Sequence, residues 1–321
     1  MSLRIIFMGT PDFAVESLRA LVEKKYNVVA VVTMPDKAIG RHHDVLQASP
    51  VKQYAVEHGI PVLQPERLKD EAFLEELRSY EADLQVVVAF RMLPEVVWAM
   101  PPKGTFNLHA ALLPKYRGAA PINWAVINGE TQTGVTTFFL DHDIDTGRVI
   151  HRVPVAIGER DTVGDVHDRL MMVGAELVVR TVEDISRGDV ESIPQDELAV
   201  PAEEVRPAPK LFRDNTRIVF SEHTVESGYN FIRGLSPYPA AWTILHTADG
   251  RETQMKIFFA EKVPANVADP QALLTDGRTY LHVPVRDGYL SLTDVQLAGK
   301  KRMPIEDFLR GAHLEGAYFM A

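Results

Sequence analysis

The chain of 321 residues contains no cysteine, which excludes disulfides and thiolate metal ligands and favours a reducing compartment. It also lacks any run near the roughly 18 consecutive apolar residues that a membrane-spanning helix requires. The apolar run close to the N-terminus has only a strand's length and stops at Gly9, so it predicts neither a signal peptide nor a membrane span. These absences predict a soluble, cytoplasmic protein with no membrane partner.

An excess of positive charge is also absent. The formal net charge is −10, which argues against indiscriminate binding to nucleic acid, because affinity for phosphate is built from Lys and Arg. Hydrophobic residues make up 46% of the sequence and charged residues 24%, which are ordinary values for a globular protein with a buried core. A length of 321 residues favours two domains over one.

The first part of the chain has the pattern of a parallel α/β sheet. Residues 3–8 and 28–33 are predicted to be short buried strands with a helix between them, and residues 84–90 are apolar apart from Gln85. Alternating strands and helices are typical of a doubly wound sheet. The turn after the first strand contains one glycine and no GxGxxG motif, so the sequence gives little support to a dinucleotide site.

The last third of the chain has a different pattern. Residues 190–209 hold four prolines and several acidic residues, which predicts an extended linker. Short strand-like segments separated by Gly, Pro and Asp turns follow at residues 218–220, 242–245, 255–259, 279–285 and 289–292. They predict a small OB-like β-barrel of about five strands, interrupted by one helix near residues 225–235. The predicted bounds are 1–189 for the first domain, 190–209 for the linker and 210–321 for the second domain.

The stretch from residue 104 to residue 147 carries the polar residues that point to chemistry. Its first strand runs into Asn107 and His109, which share one face because side chains alternate along a strand. A second predicted strand, residues 134–140, is followed by the carboxylates Asp141, Asp143 and Asp145. An amide, an imidazole and a carboxylate thus stand at strand ends, where open α/β sheets place their active sites.

The acidic cluster has two rival interpretations. Its DxDxD spacing is that of a calcium-binding EF-hand loop, but such a loop needs Gly at its sixth position and Glu at its twelfth, which are Thr146 and Arg152 here. The triplet Asp145-Thr146-Gly147 also occurs in aspartic proteases, which need two aspartates that share a proton, whereas this chain has one copy. Carboxylates that cap a turn remain an alternative, above all for Asp141 and Asp143.

Asn107 and His109 together predict a site that stabilises negative charge. An amide N–H and an imidazole N–H both donate to an oxygen that becomes negative in a tetrahedral intermediate. A nearby carboxylate orients the imidazole or holds a water that carries protons. The stretch offers no clear serine, cysteine or threonine nucleophile, which favours direct transfer between two bound substrates. For His109 alone, a hydrogen-bonded core histidine remains the alternative.

These residues resemble the folate-dependent formyltransferases. The match consists of Asn107-x-His109, Ala-Leu-Leu-Pro at 111–114, Tyr-Arg-Gly-Ala-Ala-Pro-Ile at 116–122 and Asp145-Thr146-Gly147. Supporting segments lie at residues 9–14, between residues 35 and 52, and at residues 233–242. The last two favour the branch of the family that acts on a charged tRNA, and the resemblance covers nearly the whole chain.

The resemblance implies a Rossmann-like formyltransferase domain with a parallel sheet, which is catalytic and binds folate, followed by an OB-like tRNA-binding domain. It implies 10-formyltetrahydrofolate as co-substrate and initiator methionyl-tRNA as partner. We also expect no metal and a monomer. Asn107, His109 and Asp145 take the catalytic positions. The residues expected to border the folate are Phe90, Arg91, Met92, Ala111, Leu112, Leu113, Pro114 and Asp141. Arg41 lies in the loop expected to meet the acceptor arm of the tRNA.

Two departures from the family pattern affect these expectations. The usual Ser of Ser-Leu-Leu-Pro is Ala111 here, which removes a side-chain hydroxyl contact. His42 and His43 stand where lysines often follow Arg41, which leaves the strength of the phosphate contact open. Formyl transfer to glycinamide ribonucleotide or to an amino sugar, and a non-catalytic RNA-binding protein, remain alternatives.

Overall fold

The computed structural model describes residues 3–39, 45–188, 190–312 and 314–319. The chain divides into two compact units. The first unit comprises Met1–Gly118, Gly134–Val155 and His167–Pro207, and the second comprises Ala119–Thr133, Ala156–Val166 and Ala208–Ala321. The domain and linker bounds derived from the sequence stay a prediction.

The regular elements are numbered in chain order. The strands are β1 (Arg4–Gly9), β2 (Asn27–Val32), β3 (Lys37–Ile39), β4 (Val45–Gln47), β5 (Val62–Leu63), β6 (Leu84–Val88), β7 (Thr105–His109), β8 (Arg117–Gly118), β9 (Gln132–Phe139), β10 (Val149–Ala156), β11 (Pro207–Ala208), β12 (Ala241–His246), β13 (Glu252–Pro264), β14 (Leu274–Thr275), β15 (Leu281–Val285), β16 (Gly288–Leu297), β17 (Met303–Pro304) and β18 (Tyr318–Phe319). The helices are α1 (Asp12–Glu23), α2 (Pro50–Glu57), α3 (Glu71–Ser79), α4 (Glu95–Trp98), α5 (Pro121–Ile127), α6 (Val163–Arg187), α7 (Val225–Leu235) and α8 (Ile305–Leu309). Single 3₁₀ turns lie at Gln195–Glu197, Ala202–Glu204, Asp214–Thr216 and Phe220–Glu222.

A seven-stranded sheet forms the centre of the first unit, in the order β10-β9-β7-β6-β1-β2-β5. The pairs β1–β2, β1–β6, β2–β5 and β6–β7 are parallel, which confirms the predicted parallel sheet. Strand β9 instead runs antiparallel to β7, with Phe138 opposite Asn107 and Thr136 opposite His109. The apolar pattern of β9 predicted a strand correctly, but such a pattern does not encode the direction of the strand.

The central strands explain why the apolar runs of the sequence are nearly continuous. All five residues of β6 are buried, because a strand inside a parallel sheet is covered on both faces. Gln85, the polar exception, is fully buried, and its Oε1 accepts a hydrogen bond of 3.1 Å from the hydroxyl of Thr105. That bond offsets part of the cost of burying the amide.

The packing of α6 determines which face of β7 is free for a site. A Cβ added to Gly174 of α6 would lie 2.7 Å from Cδ2 of Leu108, so the helix and the strand approach closely at this glycine. Leu108 therefore points towards α6, where it is buried. Because side chains alternate along a strand, Asn107 and His109 point to the opposite face.

The second unit is built on an antiparallel sheet in the order β14-β15-β16-β13-β12-β18, with β17 paired to β16. The register of β13 against β16 shifts around Phe259, as in a β-bulge that bends a strand. The result is a curled antiparallel half-barrel, which confirms a small β domain after the α/β domain. Residues 218–220 do not form the predicted strand: Ile218 is fully buried, but its N–H makes one isolated backbone bond to Trp242, and a 3₁₀ turn follows.

Helix α7 spans the residues at which the sequence predicted a helix. It begins with a reciprocal capping box, in which the Ser227 N–H donates to Oγ1 of Thr224 and the Thr224 N–H donates to Oγ of Ser227.

Among the residues that the structure describes, none of the helices combines the length and the apolar composition that crossing a membrane requires.

Candidate active site

The site begins at the C-terminal half of β7. His109 is buried, with only 5% of its surface exposed, whereas Asn107 on the same face is half-buried. The ring of Phe138 meets the imidazole of His109 edge to face, with ring centroids 6.5 Å apart. The strand thus presents an amide and an imidazole from one face of the sheet.

The two nitrogens of His109 have different environments. Nε2 lies 2.8 Å from the carbonyl oxygen of Tyr116, and since a carbonyl only accepts, Nε2 carries a proton. Nδ1 lies 3.7 Å from Oδ2 of Asp145, which is an ion-pair distance and longer than a direct hydrogen bond. Gain or loss of a proton by the imidazole therefore takes place at Nδ1, beside the carboxylate.

Asp145 is held by contacts from several segments of the first unit. Its Oδ2 accepts a hydrogen bond of 2.9 Å from the Gly118 N–H, and its backbone φ of 56° is in the left-handed region. Two residues later, a Cβ added to Gly147 would lie 1.7 Å from the carbonyl oxygen of Phe139. Only glycine allows the loop to return this close to β9, which is the physical reason for glycine in the Asp145-Thr146-Gly147 triplet.

Asn107 contributes an unpaired buried atom. Its Oδ1 is shielded from solvent and has no hydrogen-bond partner among the described residues. A buried polar atom without a partner costs about 1–3 kcal/mol, so such an atom in a polar site marks a place where a ligand completes the hydrogen bonding. Rotation of the amide presents its N–H groups at the same place.

One hydroxyl bonds to two residues of the segment 111–114. The Thr136 hydroxyl donates to the carbonyl oxygen of Ala111 at 2.6 Å, and its oxygen accepts from the Leu113 N–H at 3.1 Å. Ala111, Leu113 and Pro114 are buried, and Leu112 is the partly exposed member of the four. The segment therefore offers a ligand its backbone and Leu112, and the backbone stays in place without a hydroxyl at residue 111.

The segment after β6 combines one fastened and one exposed residue. The guanidinium of Arg91 donates to the carbonyl oxygens of Pro65 and Glu66, the latter at 2.9 Å, and lies 5.6 Å from the ring centroid of Phe90. Burial lowers the pKa of Arg91 from its ordinary value. The side chain of Met92 is 73% exposed. Arg91 thus fixes the segment, and Met92 is the member of it that is free to contact a ligand.

The structure separates Asp141 from Asp145. Leu140 donates its N–H to the carbonyl oxygen of Thr105 at 2.9 Å, so Asp141 follows beside the N-terminal end of β7, away from His109. Asp141 is exposed, and its Oδ1 accepts from the N–H of His142 at 2.6 Å. Asp145 is thus the carboxylate of this cluster that the structure brings to the imidazole.

Two sequence predictions remain: the contact of Arg41 with tRNA, and the absence of a metal. Arg41, with its neighbours His42 and His43, lies outside the described residues. Within the part of the chain that the structure describes, no group of three or more His, Cys, Asp or Glu side chains is arranged to hold a metal ion.

Sequence reasoning missed three groups that contact the site. The carbonyl of Tyr116, the N–H of Gly118 and the side chain of Gln195 bind His109 or the loop of Asp145. The first two are backbone atoms, whose role no residue type signals. Gln195 stands in the proline-rich segment that the sequence predicted as a linker, so its composition pointed away from the site.

Two protein-family models match this chain. The model of the family described as formyl transferase matches residues 3–182, and the model of the formyl transferase C-terminal domain matches residues 210–313. The chain therefore belongs to the formyl transferase family.

Two proteins similar in sequence to this chain are methionyl-tRNA formyltransferases. The chain is 62% identical over 310 residues to a methionyl-tRNA formyltransferase of Parabacteroides distasonis, covering 96% of this chain and 95% of the relative. It is 58% identical over 319 residues to a methionyl-tRNA formyltransferase of Bacteroides fragilis, covering 99% of this chain and 98% of the relative.

Solved structures share the fold at low sequence identity. A sugar 3N-formyl transferase, WlaRD, crystallised in the presence of dTDP and 5-N-formyl-THF, has a TM-score of 0.65 at 18% identity, over 94% of this chain and 100% of that chain. HypX from Aquifex aeolicus in complex with tetrahydrofolic acid has a TM-score of 0.63 at 18% identity, over 98% of this chain and 48% of that chain.

Proposed function

We propose that this chain transfers the formyl group of 10-formyltetrahydrofolate to the α-amine of initiator methionyl-tRNA, in the initiation of protein synthesis. The observation that carries the choice of acceptor is the 62% identity, over nearly the whole of both chains, to a methionyl-tRNA formyltransferase. The paired His109 and Asp145, beside the unpaired Oδ1 of Asn107, support the chemistry.

In the proposed reaction the amine nitrogen attacks the formyl carbon, and the bond between that carbon and N10 of the folate breaks. The amine loses a proton and N10 gains one, so the reaction needs no external acid or oxidant. Asn107 donates an amide N–H to the formyl oxygen as negative charge develops there. No metal has a role in this step.

His109 acts through Nδ1, because Nε2 is bonded to the carbonyl of Tyr116. An imidazole protonated on Nδ1 donates to the developing oxyanion and passes a proton towards the leaving nitrogen. Asp145 stabilises the imidazolium from 3.7 Å, and the N–H of Gly118 keeps the carboxylate in place.

The unpaired Oδ1 of Asn107 fits a bound co-substrate, because it leaves a hydrogen-bonding position open beside the catalytic pair. Phe90, Arg91, Met92, Asp141 and the segment 111–114 border the folate in this proposal. Arg41 and the second unit contact the tRNA. The cytoplasmic location and the monomeric state predicted from the sequence belong to the same proposal.

The test is a direct assay of three acceptors. The protein is incubated with 10-formyltetrahydrofolate and, separately, with methionyl initiator tRNA, glycinamide ribonucleotide and an amino-sugar nucleotide, and the formylated products are quantified. We expect N-formylmethionyl-tRNA and no transfer to the other two acceptors. Transfer to either small acceptor without transfer to the tRNA would overturn the proposal, as would salt-sensitive tRNA binding without any transfer.

A further inference from the structure

Gln195 is a buried polar residue outside every motif of the sequence. It opens a 3₁₀ turn at Gln195–Glu197 in the first unit, and only 5% of its surface is exposed. Polar side chains with this degree of burial are usually hydrogen-bonded. The hydrogen-bond partners of Gln195 indicate its role.

The amide of Gln195 uses all of its hydrogen-bonding capacity. Its Nε2 donates to the carbonyl oxygen of Asp145 at 2.8 Å and to that of Gly147 at 2.9 Å. Its Oε1 accepts from Nε of Arg117 at 3.1 Å and from Nη2 at 2.7 Å. Carbonyls only accept and a guanidinium only donates, so the amide satisfies its four partners in this orientation and in no other.

These bonds connect the two segments that hold the Asp145 carboxylate. Arg117 precedes Gly118, whose N–H donates to Oδ2 of Asp145. Gln195 joins Arg117 to the backbone of Asp145, and Gly118 binds its carboxylate. The segment 117–118 therefore holds both the backbone and the carboxylate of Asp145. Asp145 also has a φ of 56°, an unfavourable conformation for a residue with a Cβ, which the surrounding bonds must maintain.

The segment that carries Gln195 is anchored without its side chain. Ile193 and Val149 exchange backbone hydrogen bonds of 2.8 and 2.9 Å, and Nε of Arg148 donates to Oγ of Ser192 at 2.9 Å. Leu198 packs against the buried cluster of Leu113, Phe138 and Val149. A substitution at residue 195 therefore removes the amide and leaves the segment in place.

We propose that Gln195 is a positioning residue for formyl transfer, whose amide sets the place of the Asp145 carboxylate relative to Nδ1 of His109. The inference rests on the proposed function, because it gives Asp145 a part in the reaction. Loss of the amide frees two carbonyls of the loop, and the carboxylate then lies at the wrong distance from the imidazolium when charge develops.

A positioning role and a merely structural role make different predictions for kinetics. Gln195→Met keeps the volume and removes both the donor and the acceptor. Gln195→Glu keeps the acceptor for Arg117 but turns a carboxylate oxygen towards two carbonyl oxygens. We expect both variants to lower kcat about tenfold, within the range of coupling energies between residues in one hydrogen-bond network, while KM for both substrates stays within about twofold.

The experiment is a double-mutant cycle on the full-length chain, with kcat, both KM values and the thermal midpoint measured for each variant. The variants are Gln195→Met, Gln195→Glu, Asp145→Asn and the Gln195→Met/Asp145→Asn pair. We expect Asp145→Asn to lower kcat further than either Gln195 variant. We expect Gln195→Met to cause no added loss of kcat in the Asp145→Asn background, because the group that it positions is gone. Ser192→Ala is the matched control from the same segment and is expected to keep the wild-type kcat.

The outcomes separate this inference from the proposed function. Undiminished kcat in Asp145→Asn would overturn the catalytic assignment of Asp145 and the inference with it. A large loss in Asp145→Asn, together with an equal tenfold loss from Gln195→Met in both backgrounds, would overturn the inference alone. So would a Gln195→Met or Gln195→Glu variant that raises KM at unchanged kcat.

Discussion

Nδ1 of His109 lies 3.7 Å from Oδ2 of Asp145, while Nε2 of the same ring is bonded to the carbonyl of Tyr116 at 2.8 Å. One side of the imidazole is thus committed to the backbone, and the other side faces a carboxylate. An imidazole held in this way has one nitrogen left for chemistry.

His109→Gln separates the two functions of the ring. A glutamine amide reaches the position of Nε2 and donates to Tyr116, but it has no group at the position of Nδ1. We expect kcat to fall by about 10²–10⁴, the usual contribution of general acid–base catalysis, while the thermal midpoint stays near that of the wild type. His109→Ala, which loses both contacts, should show the same loss of kcat with a lower midpoint. A glutamine variant with near-normal turnover would contradict the assignment of Nδ1.

Thr136→Val tests the support of the segment 111–114. The valine leaves the Ala111 carbonyl and the Leu113 N–H without their side-chain partner, which costs about 1–3 kcal/mol of unfolding free energy. We expect a raised KM for 10-formyltetrahydrofolate and a lower stability in urea.

Thr137→Val is the matched control for this prediction. Its hydroxyl is equally buried and bonded to Thr181 of α6 at 2.9 Å, on the other face of β9. This variant should lose stability without a change in KM. Equal KM values in the two variants would show that the segment does not border the folate.

Gly147→Ala should damage the loop of Asp145. An added Cβ would lie 1.7 Å from the backbone oxygen of Phe139, which cannot move without displacing β9. We expect a large loss of kcat and a lower thermal midpoint. Gly250→Ala is a useful comparison for size, because a Cβ there meets no atom of the described residues within 4 Å, although an alanine at its φ of 82° would be strained. Wild-type activity in Gly147→Ala would mean that the loop has another conformation in solution.

The stability of the second unit should depend on pH through His223. Burial lowers the pKa of His223 below its ordinary value of 6.5; the nearby Arg286 lowers it as well, and Glu222 opposes both. The unfolded chain therefore binds a proton at a higher pH than the folded chain does. Unfolding free energy should fall as pH drops below about 6.5 and level off below the folded-state pKa.

His223→Gln keeps a polar side chain and removes this titration. The thermal midpoint of the wild type should fall more between pH 7.5 and pH 5.5 than that of His223→Gln. Parallel pH profiles for the two proteins would exclude His223 as a source of the dependence.

Local patterns of the sequence predicted much of the fold and part of the site. Alternation along a strand was sufficient to place Asn107 and His109 on one face and Leu108 on the other. The turn signals of the last third predicted a small β domain, and α7 lies where a helix was predicted. These features depend on residues close in sequence, which is why a single sequence reveals them.

The remaining features depend on contacts between distant residues. The direction of β9 follows from how the chain returns to β7, and an apolar run is the same in either direction. Gln195 lies 50 residues from Asp145 in the sequence, within a segment whose prolines are typical of a linker. Residues 218–220 were predicted to be a strand because they are apolar. Ile218 and Phe220 are buried, but burial alone does not make a strand.

The site assignment is tested most directly by the rate of N-formylmethionyl-tRNA formation by Asn107→Ala, measured against the wild type with both substrates saturating. Loss of one oxyanion donor costs about 2.7–4 kcal/mol, so we expect a kcat lowered by about 10²–10³ with an unchanged thermal midpoint. A kcat within a few fold of the wild type would contradict the claim that Asn107, His109 and Asp145 form the formyl-transfer site.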